Sequence, residues 1–198
     1  QNRMSPKRLK VVTTLFPLYD FARGIGGDKV EVSLLVPPGV EAHAFEPRPG
    51  DIARINGADV FVYTGPFMEP WVDTVLKGIG KRRPLVVDAS TGVSLRQDDD
   101  PEVHVHGSQE GHSRDPHIWL DFARAEQMVR TVAEGFAAQD PANSDFYLHN
   151  ADRYALELRH LDMRFMQGLA NCRHRVVLHG GHAAFTYMAA RYGLRYQS

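Results

Sequence analysis

The chain has 198 residues, 43% of them hydrophobic and 24% charged, which suits a globular protein of one generous domain or two small lobes. Its net charge is -1, with 23 basic and 24 acidic residues, and no basic run exceeds Lys81-Arg82-Arg83, so composition argues against a nucleic-acid-binding surface. No stretch of about 18 apolar residues is present, so no membrane-spanning helix is expected.

The N-terminal QNRMSPKRLK has no apolar core of a signal peptide, so any such leader is expected to have been removed or never present. KVVTTLF (residues 10–16) is β-branched and apolar and reads as a buried strand stopped by Pro17. LYDFARGI reads as a short helix ending at Gly26-Gly27. VEVSLLV (residues 30–36) is a second strand ended by Pro37-Pro38-Gly39. A helix over residues 49–58, a strand at 60–65, a helix at 69–80 and a strand at 84–90 follow. Such alternation predicts an α/β fold with a mostly parallel sheet, whose ligands gather at the C-terminal ends of the strands.

Residues 91–116 break the pattern. The segment is polar and aperiodic, and it contains Asp98, Asp99, Asp100, Glu102, Glu110 and the histidines His104, His106 and His112. A loop of about 25 residues inside a compact domain is usually functional or disordered. A helix then spans residues 121–139, with apolar Phe122, Ala125, Val129, Val132 and Phe136 at helical spacing. Asp140 is expected to cap a long helix with Pro141 at its first position, its stripe formed by Tyr147, Ala151, Tyr154, Leu158, Leu161 and Phe165. RVVLHG (residues 175–180) is a fifth strand, residues 182–193 a helix, and LRYQS the start of a sixth strand. One strand and one helix do not bury both faces of a sheet, so the second lobe is expected to be incomplete in this chain. An unfinished sheet has an open edge that invites self-association.

Cys172 is the only cysteine, so neither an internal disulfide nor a Cys-rich zinc site can form. The ten histidines are the first chemical clue. His43 follows the second strand, His117 ends the long loop within DPHIWLD, and His182 follows the fifth strand. All three stand where a strand hands over to a loop or helix. Three neutral imidazoles converging there can hold Zn²⁺ at about 2.0–2.1 Å, with a carboxylate or water completing the tetrahedron. Taken alone, each histidine fits a surface or core role as well. His149, His160 and His174 are read as surface or packing residues, and Trp71 and Trp119 as core. Asp115 or Asp121 is a candidate to orient His117.

The stretches that begin VVTTLFPLYDFARGIGGDKVEVSLLVPPGVEAHAFEP, then DPHIWLD, then VVLHGGHAAFTYMAARYGL, resemble the zinc- and manganese-binding solute receptors of bacterial ABC importers. The resemblance runs in order over residues 10–194. It implies two Rossmann-like α/β lobes joined by a long rigid helix, with metal held between them: an N-terminal lobe over 8–140, a linking helix over 141–168 and part of a C-terminal lobe over 169–198. It implies His43, His117 and His182 as metal ligands. Manganese-type members resemble this pattern but place glutamate third; histidine there points to Zn²⁺ over Mn²⁺, since imidazole suits zinc and Mn²⁺ prefers oxygen.

Two departures stand out. Relatives often read H-D-A-F where this chain has His182-Ala183-Ala184-Phe185, and His179 is an alternative ligand. The family's carboxylate ligand is expected beyond residue 198, leaving water or a nearby carboxylate such as Glu41. The resemblance makes His104, His106 and His112 an accessory metal-collecting loop. It implies a non-enzymatic receptor in the periplasm or on the outer face of the cytoplasmic membrane, with an ABC permease as partner. The competing readings are a mononuclear three-histidine zinc hydrolase or lyase, and a metal-binding surface adhesin. Against the enzyme, neither HExxH nor GxSxG is present.

Overall fold

The computed structural model describes residues 8–80, 83–96, 114–181 and 183–197. Its strands are β1 (Leu9–Thr13), β2 (Val30–Leu34), β3 (Val60–Tyr63), β4 (Leu85–Asp88), β5 (Val176–Leu178) and β6 (Arg195–Gln197). Its helices are α1 (Phe16–Gly26), α2 (Pro49–Asn56), α3 (Val72–Gly78), α4 (Phe122–Gln139), α5 (Ser144–Leu169) and α6 (Thr186–Arg191). They form two α/β lobes with parallel sheets, joined by the long helix α5.

The first sheet has the order β2-β1-β3-β4, with every pair parallel. Val11 of β1 pairs with Val32 of β2 and Val60 of β3, and Val60 pairs with Leu85 of β4. Successive side chains of a strand point to opposite faces. Val11, Val60 and Val62 therefore enter one core with Leu18, Ile25, Val129 and Phe136. Val12, Phe61 and Tyr63 enter a second core with Ile55, Val72 and Val75. The unbroken apolar runs of the sequence follow from this burial on two sides.

Helix α1 begins earlier than the sequence implies. Phe16 and Pro17 lie in its first turn rather than at the end of a strand. A proline costs nothing there, because the first N–H groups of a helix have no intrahelical partner. Helix α4 starts as expected, with the Asp121 carboxylate accepting from the backbone N–H of Ala123 at 3.0 Å and Arg124 at 3.2 Å. Of its expected stripe, Ala125, Val129, Val132 and Phe136 are buried.

The start of α5 differs from expectation. Pro141–Asn143 form a separate 3-10 turn, and Asp140 makes no side-chain cap. Its carboxylate instead accepts from Tyr147 Oη at 2.8 Å and Asn143 Nδ2 at 2.7 Å. Tyr147 is fully buried, and a buried phenol needs a polar partner. At 26 residues, α5 runs about 39 Å. Its stripe is graded: Tyr147 and Ala151 are buried, Tyr154, Leu158 and Leu161 half-buried, and Phe165 exposed. The N-terminal half packs tightly on α1, where a Cβ added at Gly24 would lie 2.5 Å from the Tyr154 ring.

Strands β5 and β6 pair in parallel, Val176 against Arg195. Helix α6 starts at Thr186 and not at residue 182 as the sequence suggested.

Candidate metal centre

His43 sits in the loop that leaves β2, and His117 immediately precedes a 3-10 turn, Ile118–Leu120, that leads into α4. The parallel sheet thus delivers two of the expected histidines to one edge, outside the C-terminal ends of its strands. His43 Nε2 and His117 Nε2 lie 3.4 Å apart, with the rings edge to face at 73°. Two nitrogens on a tetrahedral Zn²⁺ at about 2.0–2.1 Å are separated by about 3.3–3.4 Å. The observed spacing of 3.4 Å matches that separation.

His117 is 6% exposed and held from behind. Its Nδ1 lies 2.7 Å from Asp115 Oδ1, and its backbone N–H donates to the same oxygen at 2.9 Å. Burial pushes the Asp115 carboxyl up, but hydrogen bonds from His117 and Thr186 outweigh it and hold the group below its ordinary value. An ionised Asp115 fixes the proton on His117 Nδ1, so Nε2 offers its lone pair toward His43. Asp121, the other candidate for orienting His117, is used elsewhere: it caps α4 and pairs with Arg124 at 2.7 Å and Arg191 at 3.4 Å.

The remaining predicted positions divide. Glu41 is exposed, and its Oε1 accepts from the His43 backbone N–H at 3.3 Å, which keeps this carboxylate beside a candidate ligand. His179 packs edge-on against Phe185 at 4.9 Å, and Tyr196 Oη lies 3.1 Å from its Nδ1. His149, His160 and His174 are exposed. His182, His104, His106 and His112 lie outside the described residues. Among the described residues no cluster of three metal-binding side chains occurs, and His43 with His117 supply two.

Both histidines border a cleft of about 400 Å³, whose walls include Leu15, Val36, Met68, Trp119 and Phe185. Apolar walls lower the local dielectric and strengthen every charge–ligand interaction inside. Trp119 is thus a cleft wall as well as a core residue, its ring edge-on to His117 at 5.5 Å. Sequence reasoning passed over Thr186 and Tyr187. Thr186 Oγ1 donates to Asp115 Oδ2, and Tyr187 Oη donates to the Asp115 backbone oxygen at 2.8 Å. No local pattern marks either residue, because the partner lies 71 positions away.

Sequence reasoning also passed over Glu69. It is 1% exposed and accepts from Thr14 Oγ1 at 2.5 Å and from the backbone N–H groups of Thr64 and Gly65 at 3.1 Å. These contacts tie together the ends of β1 and β3. Burial pushes its carboxyl up to about 7, against donors that favour the ionised form.

Comparison with known proteins matches residues 11–198 to the family described as ZnuA, zinc-uptake complex component A, periplasmic. The chain belongs to that family. It is 38% identical over 191 residues to the high-affinity zinc uptake system protein ZnuA of Bacillus subtilis, covering 95% of this chain and 60% of the relative. It is 34% identical over 192 residues to the zinc-binding lipoprotein AdcA of Streptococcus pneumoniae, covering 95% of this chain and 38% of AdcA. Among solved structures, the Zn(II)-bound ZnuA-like domain of S. pneumoniae AdcA superposes with a TM-score of 0.81 at 32% identity, covering 96% of this chain and 66% of that one. The chain therefore spans between 38% and 60% of the length of these curated relatives.

Proposed function

We propose that this chain binds Zn²⁺ in the cleft between its lobes, as the extracytoplasmic receptor that hands the ion to an ABC permease for uptake. The observation that carries the reading is the 3.4 Å separation of His43 Nε2 and His117 Nε2. That distance suits two ligands of one tetrahedral ion. Relatives named for zinc uptake and zinc binding, and a neighbour solved with Zn(II), support the choice of metal. On this reading residues 8–140 and 169–198 form the two sides of the cleft, and 141–168 the spacer. A continuous helix of that length resists a wide hinge, so capture involves a small tightening.

His43 and His117 come from the first lobe and His182 from the second. A carboxylate or water completes the set, with Glu41, which accepts from the His43 N–H, as a candidate. His104, His106 and His112 form an accessory collector that delivers zinc inward. On this reading their hold on the ion is weaker than that of the cleft. The receptor carries out no reaction on its cargo: the histidines bind, Asp115 orients, and the apolar walls exclude water.

The test is a zinc titration against a competing chelator. His43→Ala, His117→Ala and His182→Ala are each expected to weaken binding by more than the 10–100-fold that loss of an outer partner costs. Deleting residues 98–113 should leave the tight site intact. Tight binding that survives all three substitutions, or disappears with the loop, would refute the assignment.

A further inference from the structure

We infer that α6 is a positioning device for His117, so that a helix of the second lobe sets the orientation of a ligand belonging to the first. The inference rests on the zinc-receptor reading above.

Consecutive residues at the start of α6 grip Asp115 from two directions. Thr186 Oγ1 donates to carboxylate oxygen Oδ2, leaving Oδ1 to His117. Tyr187 Oη donates to the main-chain oxygen of Asp115 at 2.8 Å and accepts from the Arg96 N–H at 2.8 Å. Tyr187 is 1% exposed, and the Arg124 guanidinium covers its ring at 4.7 Å. Asp115 therefore cannot follow α6 without turning its carboxylate, and a turned carboxylate takes the His117 ring with it.

The far end of α6 is fastened to the linking helix. Arg191 pairs with Asp162 of α5 through two of its three guanidinium nitrogens, Nε lying 2.8 Å from Asp162 Oδ1 and Nη2 donating to Oδ2. Tyr192 Oη also donates to Oδ1, at 2.8 Å. Hydrogen bonds at the two ends of α6 thus connect α5, through the α6 backbone, to Asp115 and His117 Nδ1. They join buried or half-buried polar groups, for which a lost partner is costly and geometry is tightly held. By linkage, a cation that fixes His117 Nε2 must in turn stiffen α6. The lobes thereby sense cleft occupancy without a hinge.

The experiment uses the intact protein, with Zn²⁺ as the probe. It reads affinity by chelator competition, release rate, and the ¹⁵N shifts of the His117 ring nitrogens. Thr186→Val and Tyr187→Phe are expected to weaken zinc binding about tenfold or more, mainly through faster release, and to mix the His117 tautomers. Thr186→Ser keeps the hydroxyl and should restore wild-type values. Zinc should slow amide exchange in α6 of the wild type, and less so in Thr186→Val. The coupling is overturned if Thr186→Val and Tyr187→Phe keep wild-type affinity, release and ring shifts. It is overturned too if affinity falls while the ring shifts stay put, since that is a general packing defect. Wild-type affinity in His117→Ala would instead overturn the zinc site itself, and the coupling with it.

Discussion

The two sheets of this molecule are held in place by different physics. In the first, β3 is buried along its whole length and helices cover both faces. In the second, Val176 and Val177 are half-buried and Leu178 is 77% exposed. Burial of apolar area dominates the first region. The second is fastened to the rest largely by polar contacts of α6 with Asp115, Asp121 and Asp162. A core tolerates small changes of geometry, whereas a hydrogen-bond network depends on each partner. The region held by polar contacts is also the one that adjoins His117 and the cleft.

The sharpest way to break this comparison is to attack the first core. Phe61→Ala should cost about 3–5 kcal/mol and unfold the chain cooperatively, as read by denaturant titration. A loss below about 1 kcal/mol would mean that the first sheet is not the main source of stability. Next, Arg191→Met removes two of the three side-chain hydrogen bonds to Asp162, which is only 7% exposed. The expected cost is about 1.5–3 kcal/mol, the range for hydrogen bonds to charged groups. Faster hydrogen exchange should be confined to α6 and β6, and exchange in β1 and β3 should stay unchanged.

Gly24→Ala tests the packing of the linking helix on the first lobe. The Tyr154 ring it would strike is fixed edge-on against Phe21, and its Oη donates to Asp20 at 2.5 Å. Overpacking of this kind costs about 1–3 kcal/mol, measurable as a lowered Tm. The smallest effects are those of pH, and they have opposite signs in the two regions. Hydrogen bonding from Arg191 holds Asp162 below its ordinary 3.8, so its contribution is full above that value and is lost as pH falls through the depressed one. Burial raises Glu69 from 4.5 to about 7, so its contribution is full below 4.5 and is lost as pH rises through about 7. Exchange in α6 should therefore quicken first in acid, and Glu69→Gln should flatten the decline of Tm between about pH 4.5 and 7.

Much of the fold was legible because its signals are local. β-branched runs, Pro near helix starts and the apolar spacing of α4 are written in a few adjacent residues, and each element appeared within a few positions of its expected place. The misplacements have separate causes. Phe16 and Pro17 joined α1 because proline fits the first turn of a helix, and Asp140 turned to Tyr147 because that buried phenol outcompeted the local cap. The pairing of His43 with His117 was legible from topology, since both follow strands of one parallel sheet. The choice of Asp115 over Asp121 was not, because both carboxylates stand close to His117 in sequence and only packing decides which one faces its ring.

The sequence by itself determined the alternation of strands and helices, the histidines at the strand ends and the length of the linking helix, because periodicity and turn chemistry act over a few residues. Only the tertiary structure decided the order β2-β1-β3-β4, the 3.4 Å edge between two imidazoles, and the grip of α6 on Asp115. Each of these depends on contacts between residues far apart in the chain, where no local propensity reaches and the packed core sets the geometry.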